Sequence, residues 1–396
     1  MTLSVRPTPY IIPSYSLTGD LLAYLRCGLQ YRYHHRGALP PSKPVQLWFG
    51  EFIHGVMEEA YRQWGSSPRP FSWDDGVLLL IEDLIIRRLG ARGIWPRNPA
   101  ICDLRARRSG GPVDDLAHRR ARAAINVWGP HLFPLIAQAE VRLKGIRSMP
   151  NTAAGARADY YEVQGIVDVL TSVELAVARA DNRLLVALQA DQTVSKSLGQ
   201  VIAQSSGAIG PVCEVIVDYK GMRRPNTGDP TWQYLGWQIL TYAWLREQQP
   251  GAAPVVGGVL LFLNELEPSR DDMEQLWDEV LGRNAPRTDT VPLGADLAAL
   301  RAWNPHRRQS APPALSLEYR IARSIRVVPV TALDKQRSLT EFDRTVTEIE
   351  MSVVQERGGR SLTTCWQANS VDQTCAACDF RTYCPSSPRQ GAPLAP

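Results

Sequence analysis

Apolar residues recur every three or four positions through most of the first 135 residues, which is the spacing of amphipathic helices. The helices predicted from this spacing are 18–36, 45–64, 72–90 and 114–135. A break is expected in the last helix near Gly129 and Pro130. Ser72 is a suitable N-cap for the third helix, and Asp75 follows it at the spacing of a capping box. The N-terminal third should therefore be mainly helical.

After residue 136 the pattern changes to short apolar runs, rich in β-branched residues and bounded by polar turns, which is typical of strands. The predicted strands are 139–143, 160–170, 184–188, 213–219 and 255–263. Further helices are predicted at 231–248, 269–281 and 334–357. This mixture predicts an α/β fold in which a small mixed central sheet is flanked by helices.

Changes in composition divide the chain into four parts. These are an N-terminal helical segment at 1–45, a core at 46–333 with a helical part at 46–135, a C-terminal helix and cysteine segment at 334–385, and a tail at 386–396. Insertions into the core are expected near 171–211 and 284–318, and a loop at 92–111. The tail is expected to be disordered.

The charge balance places few limits on the class of partner. The chain has 396 residues, with 44 Lys and Arg against 40 Asp and Glu, and a formal charge of +4. This weak positive charge permits a nucleic-acid partner without requiring one. No apolar run reaches the ~18 residues of a membrane span, and the N-terminus lacks the apolar core of a signal peptide. A soluble cytoplasmic protein with no membrane partner is expected.

Several basic runs could contact a polyanion. Basic and aromatic residues interleave between 24 and 36, a mixture that can hold phosphates and stack unpaired bases. Further arginine runs lie at 87–88, 105–108, 119–122 and 307–308. Most charge runs are solvated faces, so each run alone is a weak indication of nucleic-acid binding.

The cysteines are clustered in a way that points to a metal centre. Four of the seven lie in the last 32 residues, and Cys375, Cys378 and Cys384 have C-x₂-C-x₅-C spacing. A large chain of this kind is a poor candidate for a disulfide framework, so this spacing favours metal ligation. Three thiolates need a fourth ligand. Cys102 and Cys213 have no partner at ligand spacing and should be buried thiols.

Two aspartates and a lysine could meet at one edge of the sheet. In the strand ending at Lys220, Val215, Val217 and Tyr219 would face the core, and Asp218 and Lys220 the other side. If this strand pairs with the one that carries Asp168, the two carboxylates converge. Carboxylates in close proximity repel each other unless a divalent cation lies between them, and Mg²⁺ prefers such oxygen ligands.

Four short motifs occur in one order along the chain. They are Gly50 to His54 on a helix, Gly165 to Asp168 and Asp218 to Lys220 on strands, and Gln238 to Tyr242 on a helix. With this set the sequence resembles the PD-(D/E)XK nuclease superfamily, most closely its RecB-type branch and the iron–sulfur exonucleases of CRISPR adaptation. The resemblance implies a restriction-endonuclease-like core.

The resemblance also implies roles for these residues. His54, Asp168 and Asp218 would hold Mg²⁺ or Mn²⁺, and Lys220 would serve the attacking water. Gln238 and Tyr242 would support the site and contact DNA. The expected function is a metal-dependent deoxyribonuclease, exonuclease-like, acting in DNA repair, recombination or defence, with possible protein partners. Weaker site candidates are Glu214, on the same strand face as Asp218, and Glu140, at a position that is often acidic in the family.

In the resembled iron–sulfur nucleases, one N-terminal cysteine joins three C-terminal cysteines around a [4Fe–4S] cluster. This pattern assigns Cys27 as the fourth ligand beside Cys375, Cys378 and Cys384. It implies a metal clasp that joins the C-terminal segment to the first helix. Cys365 is a rival fourth ligand because it is close in sequence, and four thiolates suit structural Zn²⁺ equally well. The alternative function is a non-catalytic nucleic-acid-binding or scaffold protein with a decayed nuclease core and a zinc site.

Overall fold

The computed structural model describes residues 12–36, 45–151, 153–176, 178–204, 211–307, 309–371, 374–375, 378–382 and 384–388. From residue 389 onward the predicted disordered tail lies outside these residues. So do Arg308 of the last arginine run and residues 1–11 and 37–44 of the N-terminal segment.

A six-stranded mixed sheet forms the centre of the protein. Its strands are β1 (Ser14–Ser16), β2 (Ile136–Ser148), β3 (Tyr160–Glu174), β4 (Val212–Lys220), β5 (Val255–Phe262) and β6 (Ile325–Pro329). The order is β1-β3-β4-β5-β6, and β2 also pairs with β3. The β1–β3 and β4–β5 pairs are parallel and the others antiparallel. The prediction of a mixed α/β fold is therefore confirmed.

Helices cover both faces of this sheet. The first six are α1 (Leu22–Arg26), α2 (Gly28–Arg36), α3 (Val45–Ser66), α4 (Asp75–Ala91), α5 (Leu104–Ser109) and α6 (Leu116–Leu132). The others are α7 (Arg183–Ala190), α8 (Gln192–Gln204), α9 (Thr231–Glu247), α10 (Arg270–Leu281), α11 (Gly294–Ala302), α12 (Leu317–Ser324), α13 (Ala332–Arg357) and α14 (Leu362–Cys365).

The hydrophobic core lies in two layers, one on each face of the sheet. Val215, Val217 and Tyr219 pack in the layer with α3, α4, α6, α7 and α8, which confirms the predicted inward face of β4. Ile216 packs in the opposite layer, with α9 and α13. Because both faces are covered, Asp218 is 2% exposed rather than at an open surface.

The first predicted helix is interrupted at Cys27, which was not expected. Cys27 has extended backbone angles, and α1 ends before it. The C-terminal segment accounts for the break, because the carbonyl of Gln367 accepts a hydrogen bond from the Leu29 N–H and the Asn369 N–H donates to the Cys27 sulfur. A helix at this point would compete with those long-range bonds.

Other local predictions were wrong for reasons of packing and capping. Residues 184–188 form part of helix α7 rather than a strand, because Asn182 caps the helix and Leu184, Leu185 and Leu188 are buried at helical spacing. The N-cap of α4 is Asp74 rather than Ser72. Helix α6 continues through Pro130 between the buried residues Trp128 and Leu132.

The predicted loops contain regular structure. The 92–111 segment includes α5, which Asp103 caps. The predicted insertion at 284–318 contains α11 and the start of α12, and with α10 these pack a small core of their own around Met273, Leu300 and Trp303. Strands β1 and β6 were not predicted from the sequence.

Candidate functional site

The sheet has a notch beside the C-terminal half of β3. Strand β2 pairs with one edge of β3 along most of its length. The other edge of β3 is shared between β1 and β4. β1 pairs with residues 162–164 and β4 with residues 169–174. No strand from the described part of the chain pairs with this edge of β3 between Gly165 and Asp168, and the edge borders a cleft of about 1080 Å³.

Strands β2 and β3 are both distorted where they reach this notch. Val167 packs in the α9 layer of the core and Val169 in the opposite layer, although residues two apart on a regular strand share one face. On β2, Val141 pairs with Val167 and Ala139 pairs with Val169, so Glu140 lies between these two partners. Glu140 has φ +53°, a left-handed conformation that is unusual for a non-glycine residue. The distortion places Glu140 and Asp168 at the same point of the sheet.

His54 enters the site from α3. Its Nε2 lies 2.8 Å from the Tyr219 carbonyl oxygen, to which an Nε2–H can donate. That bond leaves Nδ1 on the side of Asp168, 3.4 Å from Oδ2. A neutral ring in this tautomer presents the Nδ1 lone pair to the site, as a metal-binding histidine does when its other nitrogen is held by a carbonyl.

A close contact between two glycines lets α3 approach β4. A Cβ on Gly221 would lie 3.0 Å from the Gly50 Cα and 3.2 Å from the Ile53 side chain. A residue with a side chain at position 221 would therefore push the helix away from the strand. The hydrogen bond between His54 and Tyr219 depends on this spacing.

His54, Glu140 and Asp168 form a group that could hold a metal ion. One ligand atom from each lies within 4.8 Å of the other two. Asp168 Oδ2 also accepts a hydrogen bond of 2.8 Å from the Tyr219 N–H, which fixes the carboxylate. One imidazole and two carboxylates suit a divalent cation such as Mg²⁺ or Mn²⁺.

Asp218 and Lys220 lie beside this group, at the end of β4. Val169 pairs with Val217 in the antiparallel β3–β4 pair. Asp168 precedes Val169 and Asp218 follows Val217, so both aspartates come directly after this pair on the same side. The Lys220 ammonium forms an ion pair with Asp218 Oδ2 and donates a 2.9 Å hydrogen bond to Gln238 Oε1. Apart from this ion pair, the buried Asp218 Oδ2 has no hydrogen-bond donor among the described residues.

Gln238 and Tyr242 hold these two side chains from α9. The Gln238 amide donates to Asp218 Oδ1 over 3.2 Å and to the Tyr242 hydroxyl over 3.1 Å. Tyr242 reaches the sheet because Gly165 has no side chain, since a Cβ there would lie 2.5 Å from the tyrosine ring. All six residues predicted for the site line the same cleft: His54, Asp168, Asp218, Lys220, Gln238 and Tyr242.

The charges in the site shift one another's pKa values. Burial lowers the pKa of His54, but the charge and hydrogen bond of Asp168 outweigh it, and the resulting pKa is about 9. Burial raises the pKa of Asp218 to about 6, against the attraction of Lys220. Burial also raises the pKa of Asp168, but the charge and hydrogen bond of His54 and the hydrogen bond from the Tyr219 N–H outweigh it. The pKa of this carboxyl is therefore below its usual range.

The candidate Glu214 has a different role from the one considered in the sequence. Its carboxylate accepts two hydrogen bonds from the Arg246 guanidinium, at 2.7 and 2.8 Å. It does not line the cleft that holds Asp218. Glu214 therefore has the contacts of a buried ion-pair partner, whereas Glu140, the other weak candidate, belongs to the group that could hold a metal ion.

Many of the arginines in the basic runs have carboxylate partners in the fold. Arg88 pairs with Glu59, and Arg120 pairs with Asp272. Arg107 is buried between Glu82 and Asp115. Further pairs are Arg32 with Glu356, Arg119 with Asp114 and Arg122 with Asp75. These contacts give the runs structural roles, and they reduce the free positive charge that the sequence suggested.

Four cysteines surround a second, small cavity near the chain ends. Its walls include Cys27, Cys375, Cys378 and Cys384, and Cys365 is not among them. The Asn369 N–H donates to the Cys27 sulfur at 3.4 Å, and the Cys375 thiol lies 3.6 Å from the Asn369 carbonyl oxygen. Cys102 and Cys213 are buried elsewhere, as predicted.

Comparison with known families agrees with this geometry. The model of the PD-(D/E)XK nuclease superfamily matches residues 19–178, a span that contains His54, Glu140 and Asp168 and ends before β4. No curated protein matches the chain. Among the described residues, none of the helices has the length and apolar character needed to cross a membrane. The mixed sheet flanked by helices is consistent with the core of this nuclease superfamily.

Proposed function

We propose that this protein is a divalent-metal-dependent deoxyribonuclease that hydrolyses phosphodiester bonds at DNA ends or in single strands, in DNA repair, recombination or defence. The observation that carries the proposal is the convergence of His54, Glu140 and Asp168 within 4.8 Å of one another. Lys220 lies in the same cleft. A cytoplasmic location and the RecB-type, iron–sulfur branch of the superfamily are part of the same proposal.

His54, Asp168 and Asp218 would hold Mg²⁺ or Mn²⁺, with Glu140 as a further ligand. The donor set fits such an ion, because it offers carboxylate oxygens and one imidazole nitrogen. Asp218 Oδ2 is also buried, and apart from its ion pair no residue that the structure describes donates a hydrogen bond to it. A bound divalent ion would supply a water of lowered pKa and positive charge for the phosphate.

The other side chains of the cleft position the reacting groups. Lys220 supplies a fixed ammonium next to Asp218, where it can orient the attacking water and stabilise the negative charge that develops on the phosphate. Gln238 fixes Lys220 and Asp218 with one hydrogen bond to each. Tyr242 in turn holds Gln238. The site is thus organised before any substrate binds.

A cleavage assay with Mg²⁺ or Mn²⁺ titration on labelled single- and double-stranded DNA tests the proposal. We expect metal-dependent cleavage by the wild type and a loss of at least a hundredfold in Lys220→Ala, because that variant lacks the ammonium at the phosphate. Lys196→Ala, at an exposed position of α8, is the matched control and should cut like the wild type. A wild type that cuts no better than Lys220→Ala would support the non-catalytic scaffold instead.

We also propose that Cys27, Cys375, Cys378 and Cys384 hold a [4Fe–4S] cluster. The four residues line one cavity, and thiolate ligation suits such a cluster. Bound there, the cluster would link the first helix to the C-terminal segment. Purification without oxygen should give a brown protein with about four irons per chain. A colourless protein with one zinc would assign the site to structural Zn²⁺ instead.

A further inference from the structure

The cleft contains one basic side chain whose charge the described part of the fold does not balance. The other three Lys and Arg residues of the cleft have carboxylate partners: Arg88 lies 3.2 Å from Glu59, Arg92 lies 2.7 Å from Glu51, and Lys220 pairs with Asp218. Arg142 is exposed in the same cleft and has no ion pair with any residue that the structure describes. Its guanidinium is free to bind an anion.

Arg142 is placed next to the metal-binding group. It follows Glu140 by two residues on β2, so their Cα atoms are at most roughly 7 Å apart, the distance in a fully extended chain. Its cross-strand partner is Ile166, which also lines the cleft and is 43% exposed. Consecutive phosphates of an extended nucleic-acid strand are separated by a similar distance. A phosphate at the metal group would therefore have its neighbour within reach of Arg142.

The walls of the cleft differ in charge. On the α3 wall, Glu51 and Glu58 face the cleft together with His54. Arg92 balances the charge of Glu51, but Glu58 has no ion pair with any described residue, so this wall keeps one carboxylate that repels the backbone of a nucleic acid. The wall made by β2 and β3 carries Glu140 and Asp168, which the proposed metal ion would neutralise, and next to them Arg142 and the apolar side chain of Ile166. A substrate strand should lie along the β2–β3 wall.

We infer that Arg142 binds the phosphate adjacent to the scissile one and that Ile166 packs against the sugar or base of the same nucleotide. A guanidinium can donate two hydrogen bonds to one phosphate, which fixes the register of the strand as well as adding charge. Arg142 is thus a substrate-binding residue, separate from the metal ligands and from Lys220. The inference rests on the proposed nuclease function.

The test compares Arg142→Ala, Arg142→Lys and the wild type in cleavage and binding of a single-stranded oligonucleotide. Arg142→Ala should raise KM about tenfold and change kcat less than threefold. In EDTA, log K for the same oligonucleotide should fall linearly with log salt concentration. The magnitude of this slope should be smaller by about 0.7 in Arg142→Ala than in the wild type, which is the contribution of one phosphate contact. Arg142→Lys should restore the slope but only part of the affinity, because an ammonium cannot donate bidentately.

Arg301→Ala is the matched control, since Arg301 is exposed on α11 and does not line the cleft. It should keep the KM and the salt slope of the wild type. An active enzyme in which Arg142→Ala has the KM and slope of the wild type would overturn this inference and leave the nuclease function intact. A wild type that neither binds nor cuts would overturn both.

Discussion

At the scale of single residues, the site depends on glycines as much as on charged groups. Gly165 makes room for the Tyr242 ring, and Gly221 lets α3 approach β4 closely enough for His54 to reach the Tyr219 carbonyl. Neither contact involves a ligand atom. They set the distances between the elements that carry the proposed ligands, and a shift of a few tenths of an ångström there moves the proposed ligands themselves.

We predict that Gly221→Ala weakens Mn²⁺ binding severalfold. Its new methyl group would lie 3.0 Å from the Gly50 Cα, so α3 must move and carry His54 away from Asp168. Isothermal titration with Mn²⁺ measures the effect. Gly50→Ala is the matched control, because a Cβ at position 50 would have no atom of another described element within 4 Å. Equal Mn²⁺ affinity in Gly221→Ala and the wild type would contradict the positioning role.

At the scale of elements, the helix that carries His54 is supported by a second layer. A Cβ on Gly55 of α3 would lie 3.0 Å from the Ile85 side chain of α4, so these helices are in close contact. Helix α4 is in turn joined to α5 and α6 by a buried network. The Glu82 carboxylate is 2.9 Å from His118 Nδ1 and accepts a 2.8 Å hydrogen bond from Arg107.

This network makes the stability of the helical part dependent on pH. Burial lowers the pKa of His118, but the hydrogen bond and charge of Glu82 outweigh it, and the pKa is raised overall. A raised pKa in the folded state stabilises the protein below the unfolded pKa of about 6.5. That stabilisation is lost as the pH rises through the folded pKa.

We therefore predict that His118→Gln lowers the free energy of unfolding more at pH 6 than at pH 9, by on the order of 1 kcal/mol. Urea unfolding at the two pH values measures the difference. In a Glu82→Gln background the imidazolium loses its buried carboxylate partner while burial still disfavours its charge, so the same substitution should no longer cost more at pH 6 than at pH 9. A cost that does not change with pH in the wild-type background would contradict this role of His118.

Local patterns predicted the elements whose residues contact their own neighbours in sequence. The alternation of Val215, Val217 and Tyr219 and the four-residue spacing of Gln238 and Tyr242 follow from strand and helix geometry alone. Strand β1 could not be found this way, because its three residues pair with β3 almost 150 positions away. The position of Glu140 beside Asp168 could not be predicted for a similar reason, because its left-handed backbone arises where β2 and β3 are both distorted.

At the scale of the whole molecule, the two ends of the described chain meet beside the sheet. Cys27 lies between α1 and α2, and the other three cysteines of the small cavity follow α14. Ser16 and Gly19, a few residues before Cys27, line the cleft with His54. A metal centre at the cysteines would therefore support a segment that forms one wall of the site.

We predict that Cys27→Ser loses most of the bound iron and unfolds at a temperature several degrees lower than the wild type. The reason is that the N-terminal segment would lose its covalent link to the C-terminal segment. Cys365→Ser is the matched control, because Cys365 is buried outside the cavity, and it should keep its iron. Iron retained in Cys27→Ser and lost in Cys365→Ser would assign the fourth ligand to Cys365 instead.

The central claim is that His54, Glu140 and Asp168, with Asp218, form one divalent-cation site. Titration with Mn²⁺, followed by calorimetry, tests this most directly by comparing the wild type with Asp168→Asn and with Asp271→Asn, an exposed acid on α10. The account predicts a saturable Mn²⁺ site in the wild type and Asp271→Asn, and its loss in a folded Asp168→Asn. A wild type without such a site, or an Asp168→Asn variant that binds Mn²⁺ as the wild type does, would contradict it.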